Sequence, residues 1–302
     1  VDESTSALSQ SLVGEVFKAL GLPEWGRARR TFGRFLTHAT DRLSTIGLTF
    51  DRICDAQGFS AAAEWALSNW CRGVRASGAG EIPSHVPLLV ISNHPGTYDA
   101  LVIASNLRRD DLMILASDIQ FLKRLPHASQ HFAFLDLDPQ SRAAALRCGI
   151  RHMEQGGAVL LYGTGCIDPD PAISDEAPAH IERWSPSIEV FLRLVPRARV
   201  VLSVVSHAVS WRWAHSPIAW VRRDAMDKRR LVEFAQVLQQ LFFPGSLYLS
   251  PCLSLETQSE PLAADRPSGR RELLGWLIDR EKRLMDEHLA MFGTSYRLPT
   301  AA

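Results

Sequence analysis

The sequence predicts an α/β fold: a mostly parallel sheet covered by helices on both faces, with an N-terminal helical bundle. Three observations predict it. From residue 85 onward, short apolar runs alternate with helical stretches, the order that builds a parallel sheet with crossover helices. Before about residue 80, apolar side chains recur at helical spacing instead. The chain has 302 residues, enough to bury a large α/β core beside a smaller bundle. The chain thus divides into a helical bundle over 1–80 and an α/β unit over 81–302.

The elements follow in order. Leu12, Val13, Val16, Phe17 and Leu20 mark a first helix, closed by Gly21-Leu22-Pro23. Phe32, Phe35, Leu36, Ala39, Leu43 and Ile46 mark a second, and Ser60 is placed to cap a third that begins at Ala61. Gly78 to Pro83 reads as a linker. Leu88-Leu89-Val90-Ile91-Ser92 is an apolar run bounded by Pro87 and Asn93, a buried strand. A helix over 97–107, a strand over 112–116, a short helix over 118–124 and a strand over 132–135 follow. Pro139 opens the next helix and Gly156-Gly157 lies beyond its end, before a strand over 158–162. Leu231, Phe234, Val237, Leu238 and Leu241 mark an amphipathic helix closed by Pro244-Gly245. A late strand over 246–255, a loop over 261–269 and a long charged helix over 270–292 complete the chain.

Composition excludes several classes. The 33 basic and 33 acidic residues balance, so charge gives no argument for nucleic acid. The five cysteines are scattered with no Cys-x-x-Cys pair, which predicts reduced thiols in a cytoplasmic compartment and no zinc site. His94 has no second histidine at ligand spacing, so no metal is expected. No apolar run has the ~18 residues that span a bilayer, and no signal peptide is read at the start.

The chemistry gathers after the strand at 88–92. Asn93-His94-Pro95-Gly96-Thr97-Tyr98-Asp99 puts a histidine just past the strand's carboxyl end and an aspartate five residues on. Ligand and catalytic groups of open α/β sheets collect at that edge. A neutral imidazole takes a proton near physiological pH, and a carboxylate on its other nitrogen fixes the tautomer. Gly96 leaves room for a substrate to approach the backbone. Asn93 and Asp99 would also serve as plain caps for the turn and the helix. A second stretch, Tyr162-Gly163-Thr164-Gly165-Cys166-Ile167-Asp168, should open at the same edge, offering N–H groups to an acceptor or an oxyanion, or only a sharp exit from the sheet. Cys166 reads as a small buried thiol rather than a nucleophile. A third zone, Trp211 to Arg223 with Lys228-Arg229-Arg230 behind it, mixes tryptophan with arginine. That is the composition of a membrane-interface contact, an acyl-chain entrance or a dock for an acidic carrier, and equally of a core edge.

Asn93 to Asp99 resembles the Asn-His-x4-Asp signature of the glycerolipid acyltransferases, the glycerol-3-phosphate and 1-acylglycerol-3-phosphate acyltransferases. Lys123-Arg124-Leu125-Pro126 with Phe132 to Asp136 looks like that family's second block. Gly156 to Gly165 looks like its third, and Val200 to Val205 sits where its fourth, apolar strand is expected. The match spans about residues 85 to 210. The resemblance implies an O-acyltransferase that moves a fatty acyl group from acyl-CoA or acyl carrier protein to a hydroxyl of a lipid or glycerol-type acceptor. His94 would be the general base and Asp99 its support. Asn93, Gly96, Thr97, Lys123, Arg142, Tyr162, Gly163, Thr164 and Gly165 would line the substrate site. No cofactor beyond the thioester co-substrate is implied, and peripheral contact with the inner face of a membrane is expected. A helical bundle ahead of the catalytic domain also occurs in soluble glycerol-3-phosphate acyltransferases.

The chain departs from the family in three places. Tyr162-Gly163 stands where Pro-Glu is usual, and Cys166 where an arginine is usual. The customary arginine of the second block falls on Leu137 or Asp138. Asp168 and Asp170 add negative charge nearby, so a phosphorylated acceptor looks less welcome unless Lys123, Arg142 or Arg147 compensates. The alternatives are a non-catalytic acyl- or lipid-binding protein, and a thioester hydrolase using Cys166 or a serine with His94.

Overall fold

The computed structural model describes residues 27–79, 82–136, 138–258 and 270–294. Seven strands form one sheet in the order β1-β7-β6-β2-β5-β3-β4. They are β1 (Arg75–Ser77), β2 (Leu88–Ser92), β3 (Leu112–Ser117), β4 (Phe132–Leu135), β5 (Ala158–Tyr162), β6 (Arg199–Ser206) and β7 (Cys252–Thr257). Every pairing is parallel except β6 with β7. The sheet is therefore mostly parallel, as the alternating pattern predicts.

β2 lies at the centre, with Leu88 facing Ala158 of β5 and Arg199 of β6. All five of its residues are buried, which is why its sequence is continuously apolar rather than alternating. Its side chains divide between two cores. Leu88 and Val90 join one core with α1 (Arg27–Gln57), α2 (Phe59–Leu67) and α3 (Asp99–Leu107). Leu89 and Ile91 join the other with α5 (Pro139–Glu154), α6 (Ala177–Ile181), α7 (Ser187–Leu194) and α10 (Arg270–Phe292). Helices thus cover both faces. The short α4 (Gln120–Lys123) and α8 (Trp211–Ala214) and the longer α9 (Ala225–Phe242) lie beyond the carboxyl ends of the strands that precede them.

Some local expectations are corrected. The third N-terminal helix begins at Phe59 after Gly58, whose φ of 92° suits glycine. Ser60 does not cap it; its N–H donates to the Asp110 carboxylate at 2.9 Å, so the cap comes from a distant loop. Residues 75–77 form an edge strand paired with β7, so the segment before residue 81 supplies sheet as well as helix. The last strand begins at Cys252 rather than at 246. α6 and α7 are not among the predicted elements, although Ile188, Phe191, Leu192 and Val195 recur at helical spacing and are all buried. The helix expected at 12–20, Leu137 and the 261–269 loop lie outside the described residues.

Candidate active site

Asn93 fixes how the chain leaves β2. Its side-chain amide donates to the Val205 carbonyl at 2.9 Å, and its carbonyl accepts from the Val205 N–H at 2.8 Å. The next residue is thereby held at the sheet rim. His94 Nδ1 lies 2.7 Å from Asp99 Oδ2, closing the pair across the Pro95-Gly96 turn. Asp99 is buried and has two further donors: the Gly96 N–H at 3.3 Å on Oδ2, and the Tyr162 hydroxyl at 2.6 Å on Oδ1. The Tyr162 ring also stacks on the imidazole, 4.1 Å between centroids. Three donors and one ring face therefore set the orientation of the pair. The His94 side chain keeps 26% of its surface exposed, and its Nε2 has no hydrogen-bond partner among the described residues. In the neutral ring that nitrogen can accept a proton.

Carboxyl groups surround the imidazole. Burial works against a charged His94, but the Asp99 carboxylate, with Glu233 and Asp168 behind it, raises its pKa to about 9. Asp168 accepts from the His94 backbone N–H at 3.0 Å and returns a bond from its own N–H to the His94 carbonyl at 2.7 Å. Its other oxygen takes Thr164 Oγ1 at 2.9 Å and His180 Nδ1 at 3.2 Å. Glu233, on α9, accepts from Thr97 Oγ1 at 3.1 Å, while its second oxygen is buried without a partner. Burial pushes the Glu233 carboxyl up to about 7, and the positive His94 opposes the rise.

Several sequence-predicted residues take other roles than expected. Asn93 is committed to β6 and is not open to a substrate. Gly96 is buried; a Cβ there would meet Glu233 and Val209 at 3.5 Å, so its side faces the interior rather than a ligand. Tyr162 is buried with its hydroxyl on Asp99. The N–H of Gly163 donates to Ser92, and that of Gly165 to Tyr162, so neither is available to an oxyanion. Gly163 is needed because a Cβ would overlap the Trp184 indole. Thr164 braces Asp168 and the Cys166 carbonyl. Lys123 pairs with Asp118 at 2.6 Å, and Arg142 reaches the Asp136 carbonyl at 3.3 Å, so neither joins the His94–Asp99 pair. Thr97 is exposed and sits beside the pair.

Three further corrections concern the loop after β5 and the second block. Asp168 and Asp170 are buried, and only Asp168 adds its charge to the imidazole, from its bond to the His94 N–H. Asp170 gathers the N–H groups of Ala172, His207, Ala208 and Val209 at 2.8–3.1 Å, which ties this loop to the exit of β6. Cys166 is exposed rather than buried, and its Sγ makes no hydrogen bond to His94 among the described residues. Asp138 caps α5 by accepting from the Ser141 N–H at 2.9 Å. No cluster of metal-ligating residues occurs among the described residues.

Glu233 is the site residue that sequence reading missed. A signal was present. Glu233, Gln236 and Gln240 lie three and seven positions apart, which puts three polar side chains on one face of α9, and all three are buried. Gln236 accepts from the Ser210 N–H at 2.6 Å and donates to the Ala208 carbonyl at 3.1 Å. Gln240 accepts from the Tyr98 hydroxyl at 2.5 Å and donates to Trp70 and Leu247 carbonyls. A polar stripe on a buried helix face is costly unless each member has a partner. Here the partners include the turn that carries His94 and the loop that leaves β6.

The chain is similar in structure to a glycerolipid acyltransferase. The crystal structure of the 1-acyl-sn-glycerophosphate (LPA) acyltransferase PlsC from Thermotoga maritima aligns with a TM-score of 0.46 at 13% sequence identity, covering 94% of this chain and 92% of that one. No family model matches the sequence, and no curated protein matches it.

Proposed function

We propose that the chain is an O-acyltransferase, with a fatty acyl thioester as donor and a hydroxyl of a lipid or glycerol-type molecule as acceptor. The observation that carries this reading is the His94 Nδ1–Asp99 contact of 2.7 Å at the end of the central parallel strand, with Nε2 unpartnered among the described residues. In this reading Nε2 takes the proton from the acceptor hydroxyl as the alkoxide oxygen attacks the thioester carbonyl. The C–S bond then breaks, and the proton on Nε2 returns to the departing thiolate. Asp99 holds the tautomer and supports the imidazolium. The thioester comes from acyl-CoA or acyl carrier protein. The charges acting on His94 are the carboxyls of Asp99, Glu233 and Asp168, which disfavours a doubly charged phosphate beside the reacting hydroxyl. Cytoplasmic location is part of the same reading.

The test is purified full chain with labelled acyl-CoA or acyl carrier protein and a panel of phosphorylated and unphosphorylated acceptors, with products read by mass spectrometry. Acylated product is expected from the parent chain. His94→Ala should lose turnover while still folding and binding donor, with a lower melting temperature at neutral pH because the His94–Asp99 pair is gone. Full turnover in that variant would remove His94 from the reaction. Donor binding with no product on any acceptor would favour an acyl-binding protein instead.

A further inference from the structure

Of the nine large apolar side chains exposed among the described residues, Trp211, Trp220, Val221, Phe243 and Tyr248 all fall between residues 211 and 248. Trp220 is 80% exposed and Val221 70%, a large area of apolar surface left in water. The segments that carry Trp211, Phe243 and Tyr248 meet at Gln239, and the 217–220 turn that carries Trp220 packs on α8 and α9. The Trp213 indole N–H donates to Gln239 Oε1 at 2.6 Å, which seats α8 against the carboxyl half of α9. Gln239 Nε2 donates to Ser246 Oγ at 3.2 Å, and the Phe243 N–H returns to the Gln239 carbonyl at 2.8 Å, which fold the 243–248 loop beside it. The turn Pro217–Trp220 packs on both α8 and α9.

Charge surrounds this apolar group. Residues 211–223 contain three arginines and no acidic residue, Arg212 and Arg223 are exposed, and in the stretch that follows Lys228, Arg229 and Arg230 outnumber Asp224 and Asp227. The patch also adjoins the site. Val209 borders Gly96 and is two residues before Trp211, and the Ser210 N–H is held by Gln236 of the same helix that carries Glu233.

We infer that this face, built from α8, the 217–220 turn and the end of α9, is a docking surface for an anionic lipid bilayer. Indole rings sit at headgroup depth, where an apolar body and a polar edge are both satisfied, and arginine meets lipid phosphate. A bilayer takes up Trp220 and Val221 without a shaped partner, whereas an acidic carrier protein would have to present a complementary pocket for each. Among the described residues no helix is long and apolar enough to cross a membrane, so contact through this face is contact at the surface. The docking surface is independent of whether acyl groups are transferred.

The test is flotation of the full chain with vesicles of phosphatidylcholine alone and of equal parts phosphatidylcholine and phosphatidylglycerol. No turnover is needed, so its outcome is separate from that of the acyl-transfer assay. The chain should float with the mixed vesicles and much less with the neutral ones, with a blue shift of tryptophan emission. The Trp220→Ser, Val221→Ser double variant should lose roughly tenfold or more in partitioning, because the apolar contact is removed. Arg212→Gln and Arg223→Gln should each cost about fivefold at low salt and less at high salt. Leu194→Ser, an exposed apolar residue on α7, is the control and should bind like the parent. Melting temperatures check that each variant is folded. Absence of vesicle binding would overturn the inference. So would binding unchanged in the folded double variant, or capture of an acidic carrier protein with no flotation.

Discussion

Replacing Asp99 by Asn tests how the His94–Asp99 pair would work in the proposed reaction. Asp99 is buried and uses both oxygens, accepting from His94, Gly96 and Tyr162. Asn has nearly the same shape but one carbonyl and one donor group. If its amide faces His94 Nδ1, the ring proton is forced onto Nε2 and the basic lone pair is lost from the substrate side. The charge is lost in either orientation. His94 should then fall from about 9 to its ordinary value of 6.5 or below, since burial now acts with only Glu233 and Asp168 to oppose it. A fall of that size corresponds to roughly 3 kcal/mol of support for the imidazolium. The loss in turnover should be about a hundred- to ten-thousandfold, the range for a general base that is misprotonated. Two measurements decide. Histidine ring signals followed by NMR from pH 5 to pH 10, with His94 assigned by comparison with His94→Gln, give the titration midpoint directly. In the parent chain, kcat/KM should rise with pH until His94 is neutral near pH 9, and the variant should lose that limb. An Asp99→Asn variant that keeps the His94 midpoint and the alkaline limb would refute the pairing as the source of basicity.

Four smaller outcomes follow from the same contacts. Asn93→Ala removes two hydrogen bonds to Val205 and leaves buried backbone groups unpaired; it should cost about 1–3 kcal/mol in denaturant unfolding, and Asn93→Asp should not restore it because a carboxylate cannot donate to the Val205 carbonyl. Gly163→Ala drives a methyl into the buried Trp184 and should cost about 1–3 kcal/mol, read as a lower Tm, whereas Gly96→Ala meets its neighbours at 3.5 Å and should cost less. Glu233→Gln should be more stable than the parent above pH 7 and not below pH 4.5: the native carboxyl holds its proton up to about 7 against an ordinary 4.5, so the parent loses stability as pH rises through that interval and the amide does not. His94→Gln should act in the opposite window, losing the stability that the raised histidine gives below pH 6.5 and that fades as pH passes 9, so parent and variant melts should converge at alkaline pH.

The sheet was legible because its central strands are buried on both faces and their apolar runs have few competing explanations. β2, β4 and β5 match the sequence reading to the residue or nearly so. The His94–Asp99 pair was legible because a short turn can only bring residues five apart back to one another. What failed was the assignment of partners. Asn93, Tyr162 and Asp170 are polar residues whose bonds go to backbone or to other site residues far along the chain, and spacing carries no information about that. Asp168 and Asp170 looked like loop charges because nothing local marks a carboxylate that will be buried; Asp170 lies under four N–H groups. α7 could have been read, because Ile188, Phe191, Leu192 and Val195 mark one apolar face at helical spacing.

The turn between His94 and Asp99 is held from three elements. From the β6 side, Asn93 anchors the residue before the histidine. From the β5 side, Tyr162 gives its hydroxyl to Asp99 and its ring face to His94. From α9, Glu233 and Gln240 hold Thr97 and Tyr98, the two residues between the glycine and the aspartate. An imidazole oriented before the substrate arrives does not need to reorganise in the transition state, which is where oriented groups are worth most. A buried carboxyl reaches the same rim from α9: Glu233 accepts from Thr97 and holds its proton up to about pH 7.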